Sequence, residues 1–544
     1  MGTLDWVVIG IFFLALIGII VWVVKQKQND SADYFLGGRD ATWLAIGASI
    51  FASNIGSEHL IGLAGAGASS GMAMAHWEIQ GWMILILGWV FVPFYSRSMV
   101  YTMPEFLERR YNPQSRTILS VISLISYVLT KVAVTVYAGG LVFQQVFGIK
   151  ELWGIDFFWI AAIGLVVLTA LYTIFGGMKS VLYTSVLQTP ILLLGSLIIL
   201  VLGFKELGGW DEMMSICSAV TVNEYGDTMT QLIRDNNDPN FPWLGALVGS
   251  AIIGFWYWCT DQFIVQRVLS GKNEKEARRG TIFGAYLKLL PVFLFLIPGM
   301  IAFALHQKYI GAGGEGFLPL LANGTANADA AFPTLVAKLL PAGVKGLVVC
   351  GILAALMSSL ASLFNSSAML FTIDFYKRFK PETPEKKLVG IGQIATVVIV
   401  ILGILWIPIM RSVGDVLYTY LQDVQSVLAP GIAAAFLLGI CWKRTSAKGG
   451  MWGLIAGMII GLTRLGAKVY YSNTAITDSS MFKYLFYDLN WLFFCGWMFL
   501  FCIIVVIAVS LMTEAPSAEK IQGLVFGTST PCLLYTSDAA DERS

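Results

Sequence analysis

The sequence predicts an all-α integral membrane protein, and three observations support this fold class. Hydrophobic residues make up 57% of the 544-residue chain, whereas charged residues make up only 13%. Apolar runs of roughly 20 residues, the length that crosses a bilayer as a helix, recur from one end to the other. Loops rich in lysine and arginine alternate with loops poor in both. The sequence lacks the short alternating segments that are typical of a transmembrane β-barrel.

About 13 apolar spans of bilayer-crossing length can be identified. They cover 4–25, 41–70, 76–96, 117–147, 155–175, 181–204, 242–266, 281–306, 334–373, 388–410, 413–438, 448–468 and 489–512. The first span is too long for the hydrophobic region of a signal peptide, and no basic segment precedes it. We therefore predict a membrane helix there as well.

Lysine and arginine are concentrated in alternate loops, and this asymmetry predicts the orientation of the chain. The basic loops contain Lys25, Lys27 and Arg39; Arg97, Arg109, Arg110 and Arg116; Lys272, Lys275, Arg278 and Arg279; Lys377, Arg378, Lys380, Lys386 and Lys387; and Lys443, Arg444 and Lys448. The longest of the other loops, 205–241, is acidic. By the positive-inside rule the N-terminus lies outside, in a multi-pass protein of the plasma or inner membrane. The basic loops indicate topology, so no nucleic-acid partner is expected.

A polar segment, "ASNIGS" (52–57), interrupts the second span. In transporters, helices broken near the bilayer midplane expose backbone carbonyls that coordinate sodium. Irregular backbone survives in a membrane only where it lines a cavity or is buried in protein. The alternative interpretation is a packing seam, because small residues also let two helices approach closely.

Adjacent hydroxyls mark a second polar segment, "AALMSSLASLFNSS" (354–367). Ser358 and Ser359 lie next to each other within an otherwise apolar span. A hard cation prefers oxygen ligands, which hydroxyls and backbone carbonyls provide. Alternatively, each serine bonds to the backbone of its own helix.

Four charged residues fall inside predicted spans, where charge is costly and therefore a functional candidate by default. They are Glu78, Lys131, Asp261 and Lys288. Glu78 could instead lie at a helix end, and Lys288 could extend its ammonium group to the interface. For Lys131 and Asp261 we favour a structural ion pair or a helix cap.

Aromatic residues cluster in "GFWYWC" (254–259), and an apolar sugar face stacks well on such rings. An aromatic belt at the membrane interface is the alternative. The polar residues Asp261 and Gln262 follow directly, which a belt does not require. Gln422, in "YTYLQD" (418–423), adds an amide in another span.

Taken together, these segments resemble the sodium/solute symporter family, and within it the sodium/glucose and sodium/galactose cotransporters. The similarity runs from "ADYFLGG" (32–38) to "CWKRTSAKGG" (441–450), and is strongest in "NIGSEHLIGLAGAGASSG", "VPFYSRSMVYTMPEFLERRY", "FWYWCTDQFIVQRVLSGKN" and "MSSLASLFNSS". The resemblance implies a LeuT-type fold with two inverted five-helix repeats, extra flanking helices and a broken first core helix. Similar members commonly have 14 helices, so one helix is expected to be missing here by truncation.

The resemblance also implies a division of the chain into six segments. These are a leading transmembrane helix at 1–30, a first repeat at 41–204, an outer loop at 205–241, a second repeat at 242–438, additional transmembrane helices at 439–515 and a cytoplasmic tail at 516–544. Within the tail, 531–544 is similar to a translated sequencing adaptor and is expected to be non-native.

Matching positions in the resembling segments imply two adjacent sites. Substrate hydroxyls would be hydrogen-bonded by Asn54, His59, Glu78, Lys288 and Gln422. Tyr257 would stack on the substrate as an inner gate, with Trp258 beside it, while Trp77 and Tyr418 would form the outer wall. Sodium would be bound by the backbone carbonyls of Ala52, Ile55 and Ala355 and by the hydroxyls of Ser358 and Ser359.

Three positions depart from patterns within the family and bear on specificity. His59 is shared with animal glucose members, whereas a bacterial galactose member has glutamine. Gly254 replaces a polar residue that can reach the sugar elsewhere. Ser185 stands where many members place an aspartate, which bears on the number of coupled ions.

The expected function is sodium-coupled import of a neutral hexose by alternating access, with no organic cofactor. The runner-up is sodium symport of another polyol or a sugar acid, such as myo-inositol or sialic acid. A channel would need a continuous polar pore, and an enzyme would need a nucleophile–base pair or a metal motif. An amino-acid symporter is a poorer match to this site. The sequence gives no indication of oligomeric state.

Overall fold

The computed structural model describes residues 1–26, 30–56, 58–321, 324–413, 417–472 and 480–528. The side chains of 129–130, 409–413, 417–423 and 472 also lie outside this description. Among the sequence predictions, the roles of Tyr418 and Gln422 and the non-native segment 531–544 therefore fall outside the described residues.

Ten helices in the described ranges are long and apolar enough to cross a membrane. They are Thr3–Lys25, Glu58–Ser98, Phe157–Leu207, Trp243–Thr260, Glu274–Gly311, Val344–Phe379, Glu385–Pro408, Val424–Cys441, Ala447–Tyr471 and Trp491–Met512. Two shorter apolar helices are Trp43–Asn54 and Ala133–Phe147. Ten of the 13 predicted spans fall on one of these helices each, two of them on Phe157–Leu207. Span 41–70 instead covers Trp43–Asn54 and the start of Glu58–Ser98, span 117–147 begins in Pro113–Ser126, and span 334–373 begins in Ala331–Leu339.

Shorter elements flank or connect these helices. The helices are Ser31–Leu36, Met103–Arg110, Pro113–Ser126, Trp210–Ser218, Gln262–Leu269 and Ala331–Leu339. The strands Glu151–Leu152 and Ile155–Asp156 pair antiparallel as a small hairpin. Trp210–Ser218 lies in the predicted outer loop, which is thus partly helical.

Phe157–Leu207 is interrupted at Gly177, and this break resolves its unusual length. A helix of 51 residues would extend about 76 Å, more than twice the hydrocarbon thickness. Gly177 has a φ of +53°, outside the helical region. A Cβ atom there would also collide with the carbonyl oxygen of Tyr34. Glycine is therefore required at the point where one predicted span ends and the next begins.

The predicted break in the first core helix is confirmed. Trp43–Asn54 ends at Ile55, whose backbone is extended with φ −78° and ψ 99°. The chain becomes helical again at Glu58, where Glu58–Leu63 winds as a π-helix. The non-helical residues between the two parts leave backbone groups free to face neighbouring side chains.

The break is held between helices that approach closely. On one side, a Cβ atom at Gly47 would lie 2.8 Å from the carbonyl oxygen of Gly280. This glycine contact lets Trp43–Asn54 pack tightly against Glu274–Leu287. This contact precedes the 52–57 segment to which the packing-seam alternative applied, so it does not decide that alternative.

The leading helix fixes one end of the helix that carries the serine pair. Asp5 Oδ1 accepts hydrogen bonds from the backbone N–H groups of Gly343, at 2.6 Å, and Gly346, at 2.8 Å. These donors lie at the start of Val344–Met369, where helix N–H groups lack partners within the helix. Asp5 therefore acts as a cap supplied by another element.

Candidate functional site

Two interrupted helices meet at Asn54 and Tyr257. Asn54 is the last residue before the break, and Tyr257 lies in the π-helical segment Phe255–Thr260. The Asn54 Nδ2 atom donates to the Tyr257 hydroxyl at 3.0 Å. Single π-helical turns often occur at functional sites, because the wider turn redirects side chains. The contact joins the two predicted repeats at the predicted inner gate.

Glu78, Lys288 and His59 form a buried charged cluster. Lys288 Nζ lies 2.6 Å from Glu78 Oε2, and His59 Nε2 lies 3.2 Å from Glu78 Oε1. Lys288 Nζ is also 2.8 Å from His59 Nε2. All three side chains are buried, so neither Glu78 at a membrane interface nor Lys288 reaching the interface fits the structure. Burying each charge requires the partner that the other provides.

A narrow cavity opens between these groups. It is lined by Asn54, Glu58, His59, Trp77, Gln80, Ile253, Tyr257, Trp258, Lys288 and Gln425. Its free volume is about 20 Å³, so a six-membered ring would need the surrounding side chains to move apart. Trp77 packs edge-on against Trp491 with ring centroids 5.8 Å apart, which couples this wall to a flanking helix.

Three polar atoms in the cavity wall lack a hydrogen-bond partner among the described residues. They are Asn54 Oδ1, His59 Nδ1 and Gln80 Oε1, and each is fully buried. A buried polar atom without a partner costs about 1–3 kcal/mol. A hydroxylated solute entering the cavity could satisfy all three, because a hydroxyl both donates and accepts.

Lys131 and Asp261 form the structural ion pair that the sequence favours. Lys131 Nζ lies 2.6 Å from Asp261 Oδ2, and both side chains are buried. Asp261 also caps Gln262–Leu269 by accepting from the Phe263 N–H, and it accepts from the Tyr127 hydroxyl. The Lys131 ammonium lies 4.7 Å from the centroid of the Tyr257 ring. The pair therefore contacts Tyr257, the predicted inner gate, through the Lys131 ammonium.

The serine pair meets the break in the first core helix. Ser359 Oγ donates to the Ser53 carbonyl oxygen at 2.7 Å and lies 3.4 Å from the Ile55 carbonyl oxygen. The alternative of bonding within its own helix is therefore wrong for Ser359. It applies instead to Ser362, whose hydroxyl donates to the Ser358 carbonyl oxygen. The oxygen atoms around Ser359 are of the kind that bind sodium.

Ser358 faces a different neighbour from Ser359. Its Oγ lies 3.3 Å from Ser185 Oγ, which in turn lies 3.4 Å from Ser49 Oγ. Arg267 Nε donates to Ser49 Oγ at 3.2 Å and to Ser53 Oγ at 3.1 Å. The buried guanidinium of Arg267 thus contacts Ser49, which is itself next to Ser185. The backbone carbonyls of Ala52 and Ala355 are also predicted sodium ligands. Ala52 directly precedes Ser53, Ala355 lies three residues before Ser358, and both residues are buried.

The structure gathers the described substrate-site predictions around one cavity and adds residues that the sequence analysis missed. Asn54, His59, Trp77, Glu78, Tyr257, Trp258 and Lys288 all line the cavity or bond to a residue that does. The missed residues are Glu58, Gln80, Ile253 and Gln425. Gln425 is three residues from Gln422, a spacing that places two residues on one helix face. That spacing was the available signal.

The arrangement defines a transporter of the LeuT type: helices broken at the middle of a helical bundle surround a small polar cavity. The structure is similar to that of a sodium-coupled sialic acid symporter, with a TM-score of 0.76, 22% identity, and coverage of 95% of this chain and 99% of that chain. It is also similar to Mhp1, a nucleobase-cation-symport-1 family transporter, with a TM-score of 0.50, 15% identity, and coverage of 90% and 97%. These similarities confirm the predicted fold.

The chain belongs to the sodium:solute symporter family, whose profile matches residues 34–457. It is 37% identical over 538 residues to sodium/myo-inositol cotransporter 2 of Homo sapiens, covering 96% of this chain and 79% of that protein. It is 37% identical over 529 residues to sodium/glucose cotransporter 1 of Ovis aries, covering 94% and 79%. The protein is therefore a multi-pass, sodium-coupled solute symporter and not an enzyme.

Proposed function

We propose that the protein imports an uncharged, polyhydroxylated ring with sodium, and that a hexose is such a substrate. The observation that carries this proposal is the buried cluster of Glu78, Lys288 and His59. The carboxylate and the ammonium neutralise each other at 2.6 Å. The cavity therefore offers strong hydrogen-bonding groups without a spare charge in this cluster. Hydroxyl groups match such a site better than a carboxylate or an ammonium does.

The second candidate is a cyclic polyol, and the relatives of the chain favour it. Sodium/myo-inositol cotransporter 2 of Homo sapiens and of Bos taurus are each 37% identical to the chain over 538 residues. A cyclic polyol carries hydroxyls around an apolar ring, as a hexose does. Both candidates use the same set of groups, so the identity of the ring has to be measured.

The proposed sodium site lies where Ser359 meets the break, and it explains how the two solutes are coupled. Sodium there would be held by carbonyls of the first core helix, at Ala52 and Ile55, and by Ala355, Ser358 and Ser359 of Val344–Met369. A bound cation would join these two helices and order Asn54, which lies between Ser53 and Ile55. Each ligand then increases the affinity for the other by the same factor.

The proposed orientation places the N-terminus outside and the basic loops in the cytoplasm, following the positive-inside rule. The cavity would then be entered from the side of Trp77 and left past Tyr257. The predicted plasma or inner membrane location belongs to the same proposal. Accessibility of cysteines introduced in 205–241 and 377–387 of intact cells would test this orientation.

Uptake into proteoliposomes tests the proposed function directly. Labelled glucose, galactose, myo-inositol and sialic acid would be offered with an inward sodium gradient and, separately, with choline in place of sodium. We expect one of the neutral rings to accumulate only with sodium, and sialic acid to be excluded. Accumulation that is unchanged in choline would contradict the proposal, as would transport of sialic acid alone.

A further inference from the structure

Gln80 lies in the cavity wall, close in sequence to Glu78. Its side chain is only 7% exposed, and its Oε1 atom has no hydrogen-bond partner among the described residues. Asn54, Glu58, His59 and Lys288 line the same cavity. Gln80 thus brings to the cavity wall a buried amide oxygen for which the described residues supply no partner.

Gln80 and Glu78 lie on the buried side of the same segment, because they are 7% and 1% exposed whereas Ile79 between them is 45% exposed. Ala75–Ile79 is α-helical, but Gln80–Trp82 winds as a 3-10 helix. The Gln80 side chain therefore lies on the buried side of this segment, as the Glu78 side chain does.

Gly254 leaves the space that the Gln80 amide occupies. A Cβ atom at position 254 would lie 2.5 Å from Gln80 Oε1 and 3.4 Å from its Cδ atom. Any side chain at position 254 would therefore displace the amide. Gly81 has a similar relationship to Lys288, because a Cβ atom there would lie 2.6 Å from Lys288 Cγ. Two glycines thus make room for two polar side chains in one cavity.

We propose that Gln80 determines substrate specificity by hydrogen-bonding one ring hydroxyl, and that Gly254 positions it for this contact. The inference rests on the proposed function, since it assumes a hydroxylated substrate in this cavity. An amide offers a donor and an acceptor, and a hydroxyl can satisfy either. Position 254 and position 80 then act as alternatives: a small residue at one allows a polar residue at the other to reach the substrate.

A set of deoxy analogues tests the contact. The sodium-dependent inhibition constant of each mono-deoxy form of the transported ring would be measured for the parent protein and for Gln80→Leu. In the parent, removing the contacted hydroxyl should weaken binding roughly 5- to 100-fold, because it leaves a buried amide unpaired. In Gln80→Leu that penalty should disappear for one hydroxyl and persist for the others.

Gly254→Ala provides a second variant that retains the amide but displaces it. It should weaken the penalty for the same hydroxyl, so the inference stays testable if Gln80→Leu fails to fold. Gln144→Leu is the matched control. Its amide pairs with Asp156 at 2.9 Å and does not line the cavity, so every deoxy penalty should remain.

The outcomes separate this inference from the proposed function. A parent protein that takes up no neutral ring would contradict the proposed function, whatever the variants do. A parent that transports a ring, combined with a Gln80→Leu or Gly254→Ala variant whose deoxy penalties all equal those of the parent, would overturn the role of Gln80 alone. Loss of the penalty for a single, shared hydroxyl in both variants supports it.

Discussion

At the scale of single residues, Glu78 is the carboxylate that joins the buried charged cluster beside the cavity. Its carboxylate is buried and contacts both Lys288 and His59. Removing one partner of a buried ion pair is costlier than removing both, because the remaining charge stays desolvated. A substitution of Glu78 should therefore change both the folding free energy and substrate binding. A single variant cannot separate these two effects.

We predict that Glu78→Ala loses substrate binding and about 3–5 kcal/mol of folding free energy. The double variant Glu78→Gln/Lys288→Met, which removes both charges at similar volume, should recover most of the stability but not the binding. Thermal unfolding in detergent, with and without substrate, measures both effects. Normal substrate affinity in the folded double variant would show that the binding site lies elsewhere.

We also predict that Ser359→Ala weakens sodium activation and, through linkage, substrate affinity. The Ser359 hydroxyl is the one that reaches the carbonyls of Ser53 and Ile55 across the break. Ser367→Ala on the same helix is the matched control, since the Ser367 hydroxyl is buried without a partner among the described residues. The sodium concentration for half-maximal uptake is the measurement. An unaltered value in Ser359→Ala would reduce the serine pair to a packing role.

At the scale of elements, the Lys131–Asp261 pair ties the helical region 113–147 to the segment that carries Tyr257. Lys131 approaches the Tyr257 ring, while Asp261 caps the helix that follows it. The position of the proposed gate, Tyr257, therefore depends on a contact between two helices as well as on its own backbone. Opening the gate would have to move Tyr257 relative to this pair.

We predict strong energetic coupling within this pair. Asp261→Leu should lower the free energy of unfolding by about 3–5 kcal/mol, and adding Lys131→Met should restore part of the loss. A double-mutant cycle on thermal stability measures the coupling. The Arg109–Glu105 pair, whose side chains are 43% and 15% exposed, is the control and should show about 1 kcal/mol or less. Additive losses at Lys131 and Asp261 would contradict the prediction.

The elements were largely predictable from the sequence, whereas the outline of the cavity was not. Apolar length placed the membrane helices, and the small polar residues at 52–57 marked the break. Glu78 and Lys288 stood out because charge inside a span is rare. Gln80 and Gln425 did not, because an uncharged amide carries no comparable penalty. The contact between Gly254 and Gln80 depends on how two helices pack against each other. No spacing of residues in a single sequence reveals such a contact.

At the scale of the whole molecule, we predict one sodium ion per substrate. Ser185 supplies a hydroxyl where a second cation would need a carboxylate, and Arg267 adds a positive charge beside Ser49. Two unit charges 10 Å apart at an effective dielectric of 20 repel by about 1.7 kcal/mol. Parallel uptake of labelled sodium and labelled substrate measures the ratio. Ser185→Asp should raise it, and a parent ratio near two would refute the prediction.

The pairing of buried charges has a consequence for how a transmembrane voltage acts on the transport cycle. Glu78 is paired with Lys288, and Asp261 with Lys131, so each pair carries no net charge as long as its two members move together. The electric field then performs no work on them during the return of the unloaded protein. It acts on the sodium ion, at about 2.3 kcal/mol per elementary charge for each 100 mV. A negative interior would therefore accelerate the inward movement of sodium. The return movement of the paired groups would not depend on voltage.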